Sequence, residues 1–394
     1  MVVEYASGAE GSVISFFTVT PFVMFKLRGS ALPLVLPQIL IAVGLSFLAM
    51  DLENRGKNPL TDADHPVAIS ILVSFLLVFK TQNAYGQFWQ ALTHLDGVMQ
   101  SSRTVANISC TMFDWETNDE VKHRARKIVR LLVLHFFVVV EHFQRSGANA
   151  IKNKKVKDLL REDIRRLTGK TEFQMLYRDE PEDTLGCVSV HACANSAQVL
   201  NWVQLVAGQV MKQGGVPPPI MAKLIDQVHS LHMNVEDMEK IDKTQFPLPY
   251  NQVMKLLLVA WSFSVPFFIV SEMGIFTPVI SAVVALGYFG LDEVAEILES
   301  PFGNDPNDIH LRKYGVRLMR DLEMIYNNRD AKLDTVFPDE PVLSFAELRK
   351  NRFATVDSEA FEIKRAQGAR NISGQICSSE TSGMAKTASE TENV

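Results

Sequence analysis

The sequence has little of what an enzyme or a nucleic-acid binder needs. In 394 residues there is no Walker loop, no dinucleotide fingerprint, no nucleophile elbow and no His-Glu-x-x-His pair. The common nucleotide-, hydride- and acyl-transfer chemistries and the zinc hydrolases therefore have no motif to stand on. Cysteine is scarce. Cys110, Cys187, Cys193 and Cys377 are scattered without metal or redox spacing, which reads as reduced cytosolic thiols. Basic excess is missing too. Thirty-nine Lys and Arg face 45 Asp and Glu, for a net charge of −6, whereas a nucleic-acid binder would carry a basic stripe. No signal peptide is recognisable, because an acid, Glu4, and no basic residue precede the first apolar stretch. Membrane insertion would rest on the first apolar span itself, and a transit peptide removed from a longer precursor remains open.

What the chain does have is apolar length. The hydrophobic share is 47% and the mean hydropathy +0.06, so the distribution decides. Gly29 to Met50 carries no charge over 22 residues, enough to span a hydrocarbon core. Uncharged runs of 16 and 19 residues flank Glu272 and read as a membrane hairpin turning at Ser271 to Pro278. Leu131 to Val140 is only ten residues long and is hemmed by charge, so a buried helix is expected there.

Between the first span and the middle of the chain lies Pro66 to Trp89. Its uncharged run, Val67 to Phe79, is entered through a proline suited to a helix's first turn and left through Lys80. Thirteen residues are short for a lipid-facing crossing, so the helix must continue past Lys80 or be shielded by neighbours. Ile71, Phe75 and Phe79 fall four apart on one face. Periodicity alone favours core packing for such a stripe. The other reading is that several copies line a constriction that gates ions by dewetting.

Charge sets the expected topology. Lys26 and Arg28 precede the first span, the loop Asp51 to His65 holds four acids against Arg55 and Lys57, and residues 152–170 hold eight basic against three acidic side chains. Four crossings with both termini in the cytosol fit this pattern. The expected fold is an all-α membrane protein with four transmembrane helices and a large helical cytosolic region. Its expected segments are a cytosolic lead 1–28, the first two transmembrane helices 29–90, a cytosolic helical region 91–250, the transmembrane hairpin 251–292, a post-membrane part 293–367, and a Ser/Thr/Gly-rich disordered tail 368–394. A helix break at Gly214, Gly215 and Pro217 to Pro219 precedes a new helix near Ile220.

Two sets of side chains suit a metal. His229 and His232 lie about one turn apart but bring no further ligands, and surface histidines explain them as well. Asp305 and Asp308, beside Glu299 and Asn304, offer several oxygens to a hard cation; solvated carboxylates in an Asx-turn are the equal alternative.

Four stretches together resemble the bestrophin family of anion channels over roughly residues 10 to 325. They are Leu27-Arg-Gly-Ser30, Ile71-x-x-Ser74-Phe75-x-x-x-Phe79 followed by Asn83, Tyr85 and Trp89, Pro247-Leu-x-Tyr250, and Ser300-Pro-Phe-Gly-x-Asp305-x-x-Asp308. The resemblance implies a homopentamer around a central pore for chloride and other monovalent anions, with bicarbonate in some members. It implies a neck of Ile71, Phe75 and Phe79, a second, cytosolic aperture near Ile220, and calcium at Asp305, Asp308 and Ser300. Ile297 stands where calcium-gated animal members place a side-chain amide, and the Asp-Pro-Asn-Asp form is closer to bacterial and plant-type members. Gln87 replaces a basic residue often found after the neck, and Phe88 the first Trp. The implied setting is a plasma membrane, or a thylakoid membrane in a photosynthetic source. A metal-dependent membrane enzyme is the competing class, as is a secondary transporter, for which internal repeats would be expected and none is found.

Overall fold

The computed structural model describes residues 29–58, 60, 67–113, 119–146, 154–177, 191–244, 246–303 and 306–328. All of them fall in one unit that ends at Arg329. Among the described residues there is no strand. The helices are α1 (Leu32–Asn54), α2 (Val67–Thr111), α3 (Asp119–Ser146), α4 (Lys154–Leu167), α5 (Lys170–Leu176), α6 (His191–Lys212), α7 (Pro218–Lys243), α8 (Leu248–Met273), α9 (Thr277–Glu299) and α10 (Leu311–Asn327), with a 3-10 turn at Gly274–Phe276. The expected disordered tail and the N-terminal lead lie outside the described residues.

Proline starts these helices where its missing N–H costs nothing. α1, α7, α8 and α9 each carry one in the first two positions. Glycine ends α8: Gly274 has φ of 51°, a backbone that side-chain-bearing residues rarely adopt, and the chain reverses there.

Three stretches are long and apolar enough to cross a membrane, Leu32–Asn54, Val67–Thr111 and Leu248–Glu299. The third holds α8 and α9 on either side of the 3-10 turn, and the two run antiparallel. The Phe263 and Phe289 rings meet at a tilt with centroids 5.8 Å apart, and Lys255 reaches Glu296, so partners are spaced evenly about Phe276. The hairpin read from the charge pattern is therefore formed. Buried fractions of 22%, 22% and 33% in these apolar windows leave most of their surface uncovered within one chain. Such a surface needs lipid or another copy against it. α1 and α9 meet through small side chains, Ala42, Ser46 and Ala49 on one and Thr277, Ser281 and Ala285 on the other, all buried. Small residues let helix backbones approach closely where lipid supplies no hydrophobic drive between helices.

The second bundle is built around α3. Every residue from Leu131 to Phe143 is buried, with α6, α4 and α10 packed around it. The ten-residue apolar run is thus a core helix. At 1.5 Å per residue it covers only about 15 Å, half a hydrocarbon core.

α2 joins the two bundles. It is 45 residues long, without an internal proline, and so on the order of 67 Å. Its buried stripe advances in steps of three and four, through Val73, Leu77, Lys80 and Ala84 and on past Ala91 to Ser109. The upper stripe packs on α8 and α9, the lower on α7, α10 and α3. α7 runs antiparallel to it, since Ser101 Oγ lies 3.2 Å from Ser230 Oγ and His94 Nδ1 3.2 Å from Asn234 Oδ1.

Candidate pore-lining face and the lysine behind it

Ile71 and Phe75 are 64% and 67% exposed and Phe79 47%, while Val73, Leu77 and Lys80 on the same turns are at most 1% exposed. At about 100° per residue the two sets occupy roughly opposite sides of α2. The expected neck stripe is therefore an uncovered face, and the packed face lies behind it. No charged side chain occurs on the helix from Val67 to Phe79.

Polar contacts tie the back and flank of this segment to the hairpin. The Ser74 and Tyr288 hydroxyls are 3.0 Å apart, and either can donate. The Tyr250 hydroxyl donates to the Leu76 carbonyl at 3.2 Å. The Tyr250 ring sits 6.1 Å from that of Phe79.

One residue past Phe79, Lys80 is fully buried. Its Nζ lies 2.6 Å from Asp292 Oδ1 and 3.6 Å from Glu296 Oε1 and donates to Asn251 Oδ1 at 3.1 Å. Lys255 also pairs with Glu296 and lies 4.0 Å from Asp292 Oδ2. Asp292 and Glu296 are four apart on α9, so the like charges repel unless cations bridge them. Lys80 from α2 and Lys255 from α8 do so. From the sequence, the crossing at Lys80 was expected to continue past it or be shielded by neighbours, and the last span to end at Asp292. As helices, α2 and α9 run on through both residues, to Thr111 and Glu299. The lone cation in one apolar stretch and the acids closing another were the available signal, since ionisable groups at membrane depth pair with one another.

Just beyond, a cavity of about 320 Å³ is lined by Gln82, Asn83, Gln87 and Gln90 with Thr244 and Phe246. Gln87 Nε2 donates to the Thr244 carbonyl at 3.4 Å. Tyr85 and Trp89 are exposed.

Ile220 sits in the first turn of α7, half-buried against the second bundle's core. The antiparallel pairing sets it opposite the far end of α2, about thirty residues and on the order of 45 Å from Phe79.

In the loop after α9, Ile309 N–H donates to the Pro301 carbonyl at 2.9 Å, which brings the chain back toward Ser300. Asp308 is 1% exposed there. Asp305 lies outside the described residues. Glu299 is already engaged, accepting the Phe246 N–H at 2.6 Å. His229 is exposed, and His232 Nε2 lies 3.0 Å from Glu236 Oε1. Among the described residues no group of three or more His, Cys, Asp or Glu is placed to hold a metal.

The model of the Bacterial/Fungal Bestrophin protein family matches residues 18–323. A voltage-dependent anion channel-forming protein of a Nostoc species is 26% identical over 300 residues, covering 73% of this chain and 86% of that protein. A protein of the same description from a Synechocystis species is 22% identical over 301 residues, covering 76% and 90%. In fold, the chain is similar to a solved bestrophin homologue of Klebsiella pneumoniae, with a TM-score of 0.63 at 19% identity over 76% of this chain and 99% of that one. With the family match spanning more than half its length, and the neck motif, hairpin and post-membrane loop within it, the chain belongs to the bestrophin family.

Proposed function

We propose that the chain is one subunit of an anion-selective channel, a homopentamer in which five copies of Ile71, Phe75 and Phe79 surround one axis. The observation that carries this reading is the uncovered apolar face of α2 set against a packed opposite face. The anion channel-forming description of its relatives supports it. The topology is four crossings with the second bundle in the cytosol, and the permeant ions are chloride and other monovalent anions, bicarbonate among them.

An anion in such a neck meets no charge. Selection there comes from the low dehydration cost of large anions and from aromatic ring edges, whose quadrupole is positive. The side-chain amides below the neck can then rehydrate the ion in part. Ile220 forms the second constriction, at the far end of α2. A calcium ion at the post-membrane loop would be held by Asp308, Ser300 and Asp305, and would act by ordering that loop. The membrane is a plasma or thylakoid membrane.

Replacing Ile71, Phe75 and Phe79 together by Ala tests the reading in planar bilayers. Conductance should rise or gating disappear. Currents like those of the parent would remove the neck from the pore.

A further inference from the structure

Apart from Ser70 and Ser74 on one flank, the membrane part of α2 is apolar all round. Val67, Ile69, Ile71, Leu72, Phe75, Val78 and Phe79 are all large, apolar and exposed in the single chain, while Val73 and Leu77 are buried. Nothing in this hydrophobicity decides which face looks toward the pore. Lipid tails are as apolar as leucine, so burial in a membrane does not favour one rotation of such a helix over another. A directional contact has to choose.

We propose that Lys80 is the positioning residue of the channel, the pin that fixes the rotation of α2 so that Phe75 and Phe79 face the axis. The proposal rests on the pore reading above. Lys80 is the one Lys, Arg, Asp or Glu between Val67 and Leu95, and it adjoins the last neck residue. It lies on the side of the helix opposite Ile71, so an ammonium held behind α2 aims the stripe forward. Three groups hold it, on two helices. Asp292 is at 2.6 Å and Glu296 at 3.6 Å on α9, and Asn251 is at 3.1 Å on α8. Lys255 braces the same two carboxylates from the α8 side. Glu293, the remaining acid of this turn, is half-buried. A turn of α2 by one residue position, about 100°, would draw the ammonium out of this pocket and leave two carboxylates sharing the single cation Lys255. The Ser74 to Tyr288 contact resists the same rotation, but it joins neutral groups and is the weaker restraint.

The test is thiol accessibility in proteoliposomes, on a background with the four native cysteines changed to serine. Single cysteines are placed at positions 71, 72, 75, 76 and 79, and the rate at which a charged aqueous thiol reagent alters anion flux is measured. In the parent, positions 71, 75 and 79 should react and 72 and 76 should not. In the neutral double variant K80M/D292N, which removes both charges and leaves neither partner stranded, reaction at 75 and 79 should slow at least tenfold and 72 or 76 should become reactive. A second neutral variant, K80Q/D292N, which keeps side-chain polarity at position 80, should shift the reactive positions in the same way. A lysine that only stabilised the fold would lower the yield or thermal stability of channels without moving the reactive positions. The parental pattern in either double variant that assembles overturns the proposal. Reaction at none of the positions in the parent would overturn the pore reading itself, and this proposal with it.

Discussion

Lys80 and Asp292, 212 residues apart in the chain, meet at 2.6 Å between Nζ and Oδ1. Each comes from a helix with an uncharged apolar run before it, and the pair lies at matching depth. Lys80 is thirteen residues past the start of α2, and Asp292 fifteen past the start of α9. Both positions are on the order of 20 Å along the helix from its first residue.

Removing one partner strands the other. Asp292→Ala leaves the Lys80 ammonium buried with Asn251 and a carboxylate at 3.6 Å. The expected loss is about 3 kcal/mol, the lower end for a broken buried pair, because Glu296 remains. K80M/D292N should lose less than either single change. Thermal unfolding in detergent reads this, and an unaltered melting temperature for Asp292→Ala would refute the buried-pair description.

At Gly97, α2 leaves room for the Asn234 side chain of α7. A Cβ there would stand 2.5 Å from Asn234 Oδ1 and 2.8 Å from its Cγ. Asn234 has little freedom to give way, since its Nδ2 donates to the Ser230 carbonyl at 2.8 Å and its Oδ1 faces His94. Gly97→Ala should therefore cost about 1–3 kcal/mol through overpacking. Unfolding midpoints of the two proteins would show it.

Acid should loosen the second bundle. His135 is fully buried, with Nε2 3.0 Å from Ser196 Oγ, and burial first and then nearby His232 push its pKa down to about 3. The folded state thus keeps it neutral, while the unfolded chain protonates it near 6.5. Its stabilising contribution is complete above pH 6.5 and is lost as pH falls from there toward 3, at about 1.4 kcal/mol per pH unit for one site. His142 is shifted the same way, again by burial first, and steepens the effect. Stability measured from pH 7 to 5 should fall, and His135→Leu should flatten the slope. A flat profile in the parent protein would contradict the buried neutral imidazole.

Much of this architecture was legible in the sequence. Run length alone separated the core helix around Leu131–Val140 from the spans, and four-residue spacing picked out Ile71, Phe75 and Phe79 as one face. Periodicity does not show whether that face is covered; its exposure beside a packed opposite face shows that it is not. The Lys80 cluster was not legible because its members come from three helices, and a lone lysine after an apolar run reads first as a membrane boundary. Depth along each helix, compared across helices, turns that boundary into a pair. The loop after α9 was legible as a motif, but of the three residues expected to hold a cation only Ser300 and Asp308 fall among the described residues.

Anion flux through purified protein in proteoliposomes is the most direct measurement, made across chloride, bromide, iodide and nitrate, with and without calcium. The account predicts anion flux without cation flux, favouring the larger, weakly hydrated ions. No anion flux under any of these conditions would contradict it.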